Sequence, residues 1–264
     1  MIDYLIIKSK KEVFSQREGI FTTPLMGEGY DFAQLREYDY HEDAKRIDWL
    51  ISAKMQKPYV RVYQQERARN IVLIFLRTGS LFFGSKRLKV HTLIESFLLV
   101  ALSGLRLKEG VVGFDRQMRL LENSATIEHF ARGMEQDLIG TSLDIDMHKI
   151  FYQIPDLSLV IFLGDFLDPI DLSLFAAKHD VVCFVARDSI ERAKMDAYAK
   201  LIDCESLGQK SARLFGKSLK KYHKNIQEAL DQNYAAFSKS GIDWVELWDD
   251  DNIFMKLQQF FMGR

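Results

Sequence analysis

Residues 71–75 read Ile71-Val72-Leu73-Ile74-Phe75, an unbroken run of β-branched, aliphatic and aromatic side chains. A short run of this composition is typical of a strand that is buried on both faces, as in a parallel sheet. Further along, apolar residues recur at the spacing of one broad helical face, at Val90, Leu93, Ile94, Phe97, Leu98, Ala101, Leu102 and Leu105. The two patterns together predict a strand followed by a helix that packs on the sheet.

The same alternation continues to the end of the chain. It predicts strands at 111–114, 159–163, 181–185 and 244–247, helices near 127–134, from 218 to about Gly241 and at 253–261, and a small hairpin at 201–208. Alternating strands and helices predict an α/β fold with a mostly parallel sheet and helices on both faces. We assign residues 67–264 to this α/β domain. Residues 1–66 lack the alternation and are predicted to form an N-terminal appendage.

Composition narrows the function classes. The 264 residues include 36 basic and 37 acidic side chains, a net charge of -1, so no global field favours nucleic acid or an anionic membrane. The longest apolar run, 97–102, is far too short to span a bilayer. An acid precedes the lysines near the N-terminus, the reverse of a secretion signal, which predicts a cytoplasmic protein. The two cysteines, Cys183 and Cys204, are expected to be reduced and not catalytic.

A dense block of charged and aromatic residues lies between residues 27 and 66. It reads GEGYDFAQLREYDY from Gly27, DAKRIDW from Asp43, SAK from Ser52 and YVRVY from Tyr59, and ends at Glu66. Such a block suits either buried ion pairs that fasten the appendage to the core or a surface that contacts a partner, and these roles overlap. The residues assigned to partner contact are Arg36, Glu37, Tyr38, Arg46, Asp48 and Trp49.

This block closely resembles the signature of the domain-of-unknown-function 58 family, the von Willebrand factor A-like proteins associated with MoxR ATPases. The resemblance implies a Rossmann-like von Willebrand factor A fold. It also implies a non-enzymatic role in protein binding, beside a MoxR-type AAA+ ATPase, in the assembly or activation of other protein complexes. The expected partners are therefore the ATPase, its client protein, or both.

Von Willebrand factor A domains usually carry a metal-ion-dependent adhesion site, and the resemblance places its remnants here. The pattern DxSxS corresponds to Leu76-Arg77-Thr78-Gly79-Ser80, with Thr141 on a second loop and Asp165 on a third. Leu76 replaces the leading carboxylate that a hard cation such as Mg²⁺ requires, so we expect no physiological cofactor. Arg77 could fill the resulting vacancy or meet an acidic group of a partner. Alternatively, Thr78, Ser80, Thr141 and Asp165 satisfy backbone groups of their own loops.

A hydrolase is the rival interpretation. Asp165 and Asp168 follow a predicted strand, where paired acids serve metal-assisted hydrolysis in some α/β enzymes. The same placement is common for acids that cap the following helix. The sequence contains no phosphate-binding loop, nucleophile elbow or dinucleotide-binding turn, which favours a binding module over an enzyme.

Overall fold

A computed structural model describes residues 1–15, 32–39, 47–63, 70–143, 145–192 and 216–264. In chain order, its elements are α1 (Ile2–Ser15), β1 (Phe32–Glu37), α2 (Trp49–Met55), β2 (Tyr59–Tyr63), β3 (Asn70–Phe75), α3 (Lys89–Arg106), β4 (Gly110–Asp115), β5 (Gln117–Leu120), α4 (Ser124–Met134), α5 (Met147–Phe151), β6 (Leu159–Gly164), α6 (Ser173–Ala176), β7 (Asp180–Arg187), α7 (Gly216–Ser240), β8 (Asp243–Trp248) and α8 (Ile253–Gly263). Two 3₁₀ turns lie at Gly79–Phe82 and Ser189–Arg192.

The chain divides into two compact units. The larger comprises Met1–Ile20 and Ala68–Arg264, and the smaller comprises Phe21–Arg67. In the smaller unit, β1 pairs with β2 in antiparallel orientation. The side chain of Asp48 caps α2 by accepting hydrogen bonds from the backbone N–H groups of Leu50 and Ile51.

The larger unit is built on a six-stranded sheet of order β5-β4-β3-β6-β7-β8. All neighbouring pairs are parallel except β4 and β5, so β5 is an antiparallel edge strand. Strand β3 has β4 on one side and β6, the next parallel strand along the chain after β4, on the other. The strand order therefore reverses at β3, and this is the topological switch point at which open α/β sheets commonly bind ligands.

Helices cover both faces of this sheet. Alternate side chains of the central strands pack against α5, α6 and α7 on one face, as in the contact of the Phe162 and Phe175 rings at 5.1 Å. On the other face lie α3 and α8, and Phe184 of β7 contacts Phe261 of α8. Phe97 of α3 in turn stacks on Phe130 of α4, at 4.9 Å between ring centroids.

Helix α3 is buried on every side from Lys89 to Gly104. Its charged residues therefore need partners inside the protein, because an unpaired buried charge is strongly destabilising. The carboxylate of Glu95, which is fully buried, lies 2.5 Å from both Lys8 of α1 and Arg87. The ring of His91 contacts Glu135 at 2.9 Å.

Helix α1 belongs to the larger unit, which corrects the predicted boundary at residue 66. Leu5, Ile6 and Val13 are buried, and the guanidinium of Arg106 donates to the carbonyl of Val13 at 2.7 Å. The helix was missed because Tyr4, Ile7 and Phe14 on its outer face are apolar but exposed. Apolar residues on both faces hide the period that identifies an amphipathic helix.

The predicted strands and helices of the α/β domain are confirmed, with ends that differ by at most three residues. Gly241, with φ of +69°, follows α7 in the left-handed conformation that commonly ends a helix. The hairpin predicted at 201–208 lies outside the described residues. None of the helices in the described ranges has the length and apolar composition needed to cross a membrane. The α/β class is confirmed, and the architecture is consistent with a Rossmann-like fold of the von Willebrand factor A type.

Candidate functional site

Leu76 lies at the switch point, directly after β3. Its backbone N–H donates to the carbonyl of Leu163 in β6 at 2.9 Å, which extends the parallel ladder by one residue. The side chain is 3% exposed and packs on Gly164, where an added Cβ would lie 3.1 Å from Leu76 Cδ1. The apolar side chain of Leu76, at the start of the loop after β3, thus packs against the end of β6.

The structure brings the first and second predicted loops together. The backbone N–H of Gly79 donates to the carbonyl of Thr141 at 2.7 Å. The hydroxyl groups are engaged locally: Ser80 Oγ donates to Thr78 Oγ1 at 2.9 Å, and Thr141 Oγ1 donates to the carbonyl of Asp137 at 2.8 Å. Of these bonds, only that of Thr141 satisfies a backbone group of its own loop, whereas Ser80 and Thr78 bond to each other.

Asp165, on the third loop, faces a buried ammonium group. It is 2% exposed, and its Oδ2 lies 3.7 Å from Nζ of Lys89, the first residue of α3. The same Nζ lies 2.8 Å from the carboxylate of Glu191, in the 3₁₀ turn after β7. A lysine from within the protein therefore supplies positive charge to Asp165, at the sheet edge where the resemblance implies a metal ion.

Arg187, the last residue of β7, extends this cluster across the sheet edge. Its guanidinium contacts Glu191 at 2.5 Å and Glu246 of β8 at 2.6 Å. The hydroxyl of Tyr234 donates to Glu246 at 2.7 Å, and the ring of Trp248 lies 4.9 Å from the guanidinium carbon. We call Lys89, Asp165, Glu191, Arg187 and Glu246 the internal ion cluster.

The charges in the cluster stabilise one another. Burial by itself would raise the pKa of Glu191, but the nearby Lys89 and Arg187 outweigh burial and hold the pKa below its ordinary value. Burial and the hydrogen bond to Glu246 raise the pKa of Tyr234 far above its ordinary value. Glu191 is therefore ionised and Tyr234 protonated at neutral pH.

These residues do not fit Mg²⁺. A divalent cation needs carboxylate charge, and Asp165 has the ammonium of Lys89 beside it, which would repel a second cation. Leu76 provides no ligand, and the Thr78 and Ser80 hydroxyls are bonded to each other. Within the described ranges, no group of three His, Cys, Asp or Glu side chains is placed to hold a metal ion.

Arg77 has a structural role that differs from the predicted partner contact. Its Nη1 donates to both carboxylate oxygens of Asp115, at 2.8 and 2.9 Å, and the guanidinium also donates to the carbonyls of Gly133, in the last turn of α4, and of Gln136, just beyond that helix. The residue is only 6% exposed. Arg77 therefore holds Asp115 and does not fill the position beside Asp165, where Lys89 lies instead.

A second polar group fastens the ends of β7 and β8 to the loop after β3. Asp188, which is fully buried, accepts hydrogen bonds from the backbone N–H of Ser85 at 2.7 Å and from that of Ile190 at 2.9 Å. Asp249 accepts from the backbone N–H of Ser189 at 2.9 Å. Charged and polar groups at this edge are thus largely directed at one another.

Asp168, the second acid of the hydrolase alternative, lies in a loop held by Asn233 of α7. The buried amide of Asn233 donates to the carbonyls of Phe166 and Asp168 and accepts from the N–H of Ile170. This clamp holds Phe166 at φ of +52°, a conformation that bulky residues rarely adopt. Asp168 is exposed, whereas Asp165 is buried beside Lys89, so the two acids occupy different environments.

Several residues of the N-terminal block lie at the surface in the part of the chain that the structure describes. Trp49 is 70% exposed, Asp48 caps α2, and Glu37 pairs with Lys57 on the surface at 2.8 Å. The bond to Glu37 raises the pKa of Lys57. Arg36 precedes Glu37, the last residue of β1, and Tyr38 follows that strand, whereas Arg46 lies outside the described residues. The exposure of Trp49 favours a contact surface over a buried network.

Sequence reasoning missed Lys89, Glu191, Arg187 and Glu246. Lys89 directly precedes the apolar stripe of α3, and Arg187 and Asp188 directly follow a buried strand. Such residues could have been found from their position beside strands and helices that are buried throughout. A charged side chain at such a position has little access to solvent and therefore needs a partner inside the protein.

Comparison with known proteins agrees with this architecture. No curated protein matches the chain. A family model described as "Protein of unknown function DUF58" matches residues 34–221, well over half of the chain. The match begins in the N-terminal block and continues through β7 into α7, so it includes the switch point and most of the internal ion cluster. This chain therefore belongs to the DUF58 family of proteins of unknown function.

Proposed function

We propose that this protein is a cytoplasmic, non-enzymatic adaptor or chaperone-like factor that binds proteins without a metal ion. Its partners are a MoxR-type AAA+ ATPase, the client of that ATPase, or both, and its role is in assembling or activating other protein complexes. The observation that most supports this proposal is the position of the Lys89 ammonium group, which lies 3.7 Å from Asp165 and 2.8 Å from Glu191. It supplies positive charge from within the protein, at the sheet edge where the metal ion of an adhesion site would lie.

The internal ion cluster supports a rigid binding surface. Charged groups that pair inside the fold are fixed in position, so loops built on them change little when a partner docks. Adhesion sites that use a metal recruit a partner carboxylate to complete the coordination of the ion. Here the positive charge beside Asp165 belongs to the protein, and partner binding has to rely on the surface around the cluster.

The hydrolase alternative finds less support in this geometry. A metal-assisted reaction requires carboxylates that are open to a cation, and Asp165 is buried against an ammonium instead. The exposed Asp168 would have to catalyse hydrolysis without the help of Asp165.

Partner binding is expected to be independent of divalent cations. Purified chain would be immobilised and exposed to a nucleotide-free MoxR-type ATPase from the same organism, in buffer containing either Mg²⁺ or a chelator. Omitting nucleotide removes the metal requirement of the ATPase itself. Equal dissociation constants in both buffers, measured by biolayer interferometry, are the expected result.

A complex that dissociates on chelation would contradict the metal-free mechanism. A pull-down from native lysate provides the independent check on identity. If neither a MoxR-type ATPase nor a client of one is recovered, and purified ATPase does not bind, the proposed function is wrong.

A further inference from the structure

A groove of about 560 Å³ opens at the carboxyl edge between the β4–β5 hairpin and α5. Its floor is apolar and comes from Phe114, Met118, Ile145 and Ile150. Phe114 and Met118 are partners across the hairpin, so both side chains lie on the sheet face that carries α5. Arg77 and Thr141, which the sequence assigned to the binding face, form part of its wall.

The mouth of the groove is cationic. Arg116 stands at the hairpin apex with φ of +67°, and its side chain is 61% exposed, with only a loose, exposed pair to Asp137 at 3.7 Å. Lys149 of α5 is exposed and forms no ion pair with any residue that the structure describes. The nearby Asp146 is committed to capping α5, where it accepts from the N–H of Lys149 at 3.0 Å.

The strand beside the groove is an open edge. Strand β5 pairs with β4 on one side, and no described strand pairs with its other side. An extended peptide can add to such an edge through backbone hydrogen bonds, while alternate side chains enter a neighbouring pocket. Leu120, on the same face as Met118, is 57% exposed and continues the apolar floor along the strand.

We propose that this groove binds an extended acidic segment of a partner protein, with an apolar side chain of that segment on the Phe114 and Met118 floor. Carboxylates of the segment would pair with Arg116 and Lys149, and this charge complementarity is what selects an acidic occupant. The inference rests on the proposed function for its view that the occupant is a protein. It goes beyond the proposed function by naming the surface that binds the partner and the chemistry of the bound segment.

The test uses a synthetic probe and the full chain. The probe is a fluorescein-labelled peptide with one phenylalanine flanked on each side by glutamates, and binding is followed by fluorescence anisotropy. One comparison peptide has glutamines in place of the glutamates, and another has serine in place of the phenylalanine. We expect both comparison peptides to bind at least about tenfold more weakly than the probe.

Charge reversal at the mouth gives the matched variants. Arg116→Glu with Lys149→Glu should weaken probe binding by at least about tenfold. The control is Lys221→Glu with Lys239→Glu, an equal change of charge at exposed positions of α7 outside the groove, which should leave probe binding unchanged. Circular dichroism melting confirms that both double variants fold.

The possible outcomes separate this inference from the proposed function. Failure of the wild-type chain to bind the probe, or equal binding by the two double variants, would overturn the groove proposal. The ATPase experiment is repeated on the same variants. If the ATPase binds while the probe does not, only the groove proposal is lost; if the probe binds but no ATPase or client does, only the adaptor role is lost.

Discussion

Lys89→Met should lower the free energy of unfolding by about 3–5 kcal/mol, the usual effect of removing one partner from a buried ion pair. Methionine has nearly the length of lysine, so the main change is the loss of the ammonium. Asp165 and Glu191 would then be buried with less compensating charge. The loss of stability arises because these buried carboxylates would lack a compensating positive charge. Little solvent reaches this position to replace the ammonium group.

Urea denaturation at neutral pH measures the loss. The matched control is Lys86→Met, three residues earlier, where the side chain is 61% exposed and pairs with Asp250 at 3.3 Å. That substitution should cost only about 0–1 kcal/mol. Adding Glu191→Gln to Lys89→Met should recover part of the loss, since it removes one of the stranded charges. Equal stability of the two single variants would show that Lys89 does not serve as an internal cation.

The pH dependence of stability has a defined sign. The folded-state pKa of Glu191 is depressed below its ordinary value of 4.5, so its contribution is present above that pH and is lost as the pH falls through the folded pKa. In Lys89→Met the depression is smaller because one of the two cations is gone. The stability difference between wild type and variant should therefore narrow when the pH is lowered below 4.5. A difference that stays constant down to the acid transition would contradict this assignment.

Arg77→Met should lower the free energy of unfolding by about 3 kcal/mol, because it leaves Asp115 and the carbonyls at the end of α4 without their donor. The Arg77 side chain is 7% exposed and that of Asp115 is 14% exposed, so water replaces the lost bonds poorly. Thermal or urea unfolding reports the change.

The neighbouring pair of Arg116 and Asp137 provides the comparison for Arg77. Its side chains are 61% and 78% exposed, and Arg116→Met should cost about 0–1 kcal/mol. A stable Arg77→Met variant with impaired partner binding would instead restore the original idea that Arg77 contacts an acidic partner. The structure favours the destabilised outcome because the guanidinium is enclosed.

Much of the fold could be predicted because local pattern and tertiary environment agree. The strand at Ile71 to Phe75 is buried on both faces, and its unbroken apolar run shows this directly. Strand β5 was not predicted because it is mostly exposed and its alternation of polar and apolar residues covers only four positions. Helix α1 was missed for the opposite reason, since it has apolar residues on more than one face.

The candidate site could be predicted only in part. Leu76 and Asp165 lie near each other because loops after parallel strands meet at one edge of the sheet. Thr141, in the loop after α4, was placed there by the family resemblance. The ion cluster could not be foreseen, since Lys89 and Glu191 are 102 positions apart and nothing local indicates that their side chains meet. The contact of Arg77 with Asp115 could not be foreseen, because side-chain direction in an irregular loop follows no sequence period.

The most direct test of the account is a calorimetric titration of Mg²⁺ and Mn²⁺ into the wild-type chain at neutral pH. The central claim is that Lys89 supplies the positive charge beside Asp165 for which other domains of this architecture use a metal ion. We expect no saturable heat with either cation. Binding of one ion per chain with a micromolar dissociation constant would contradict the claim.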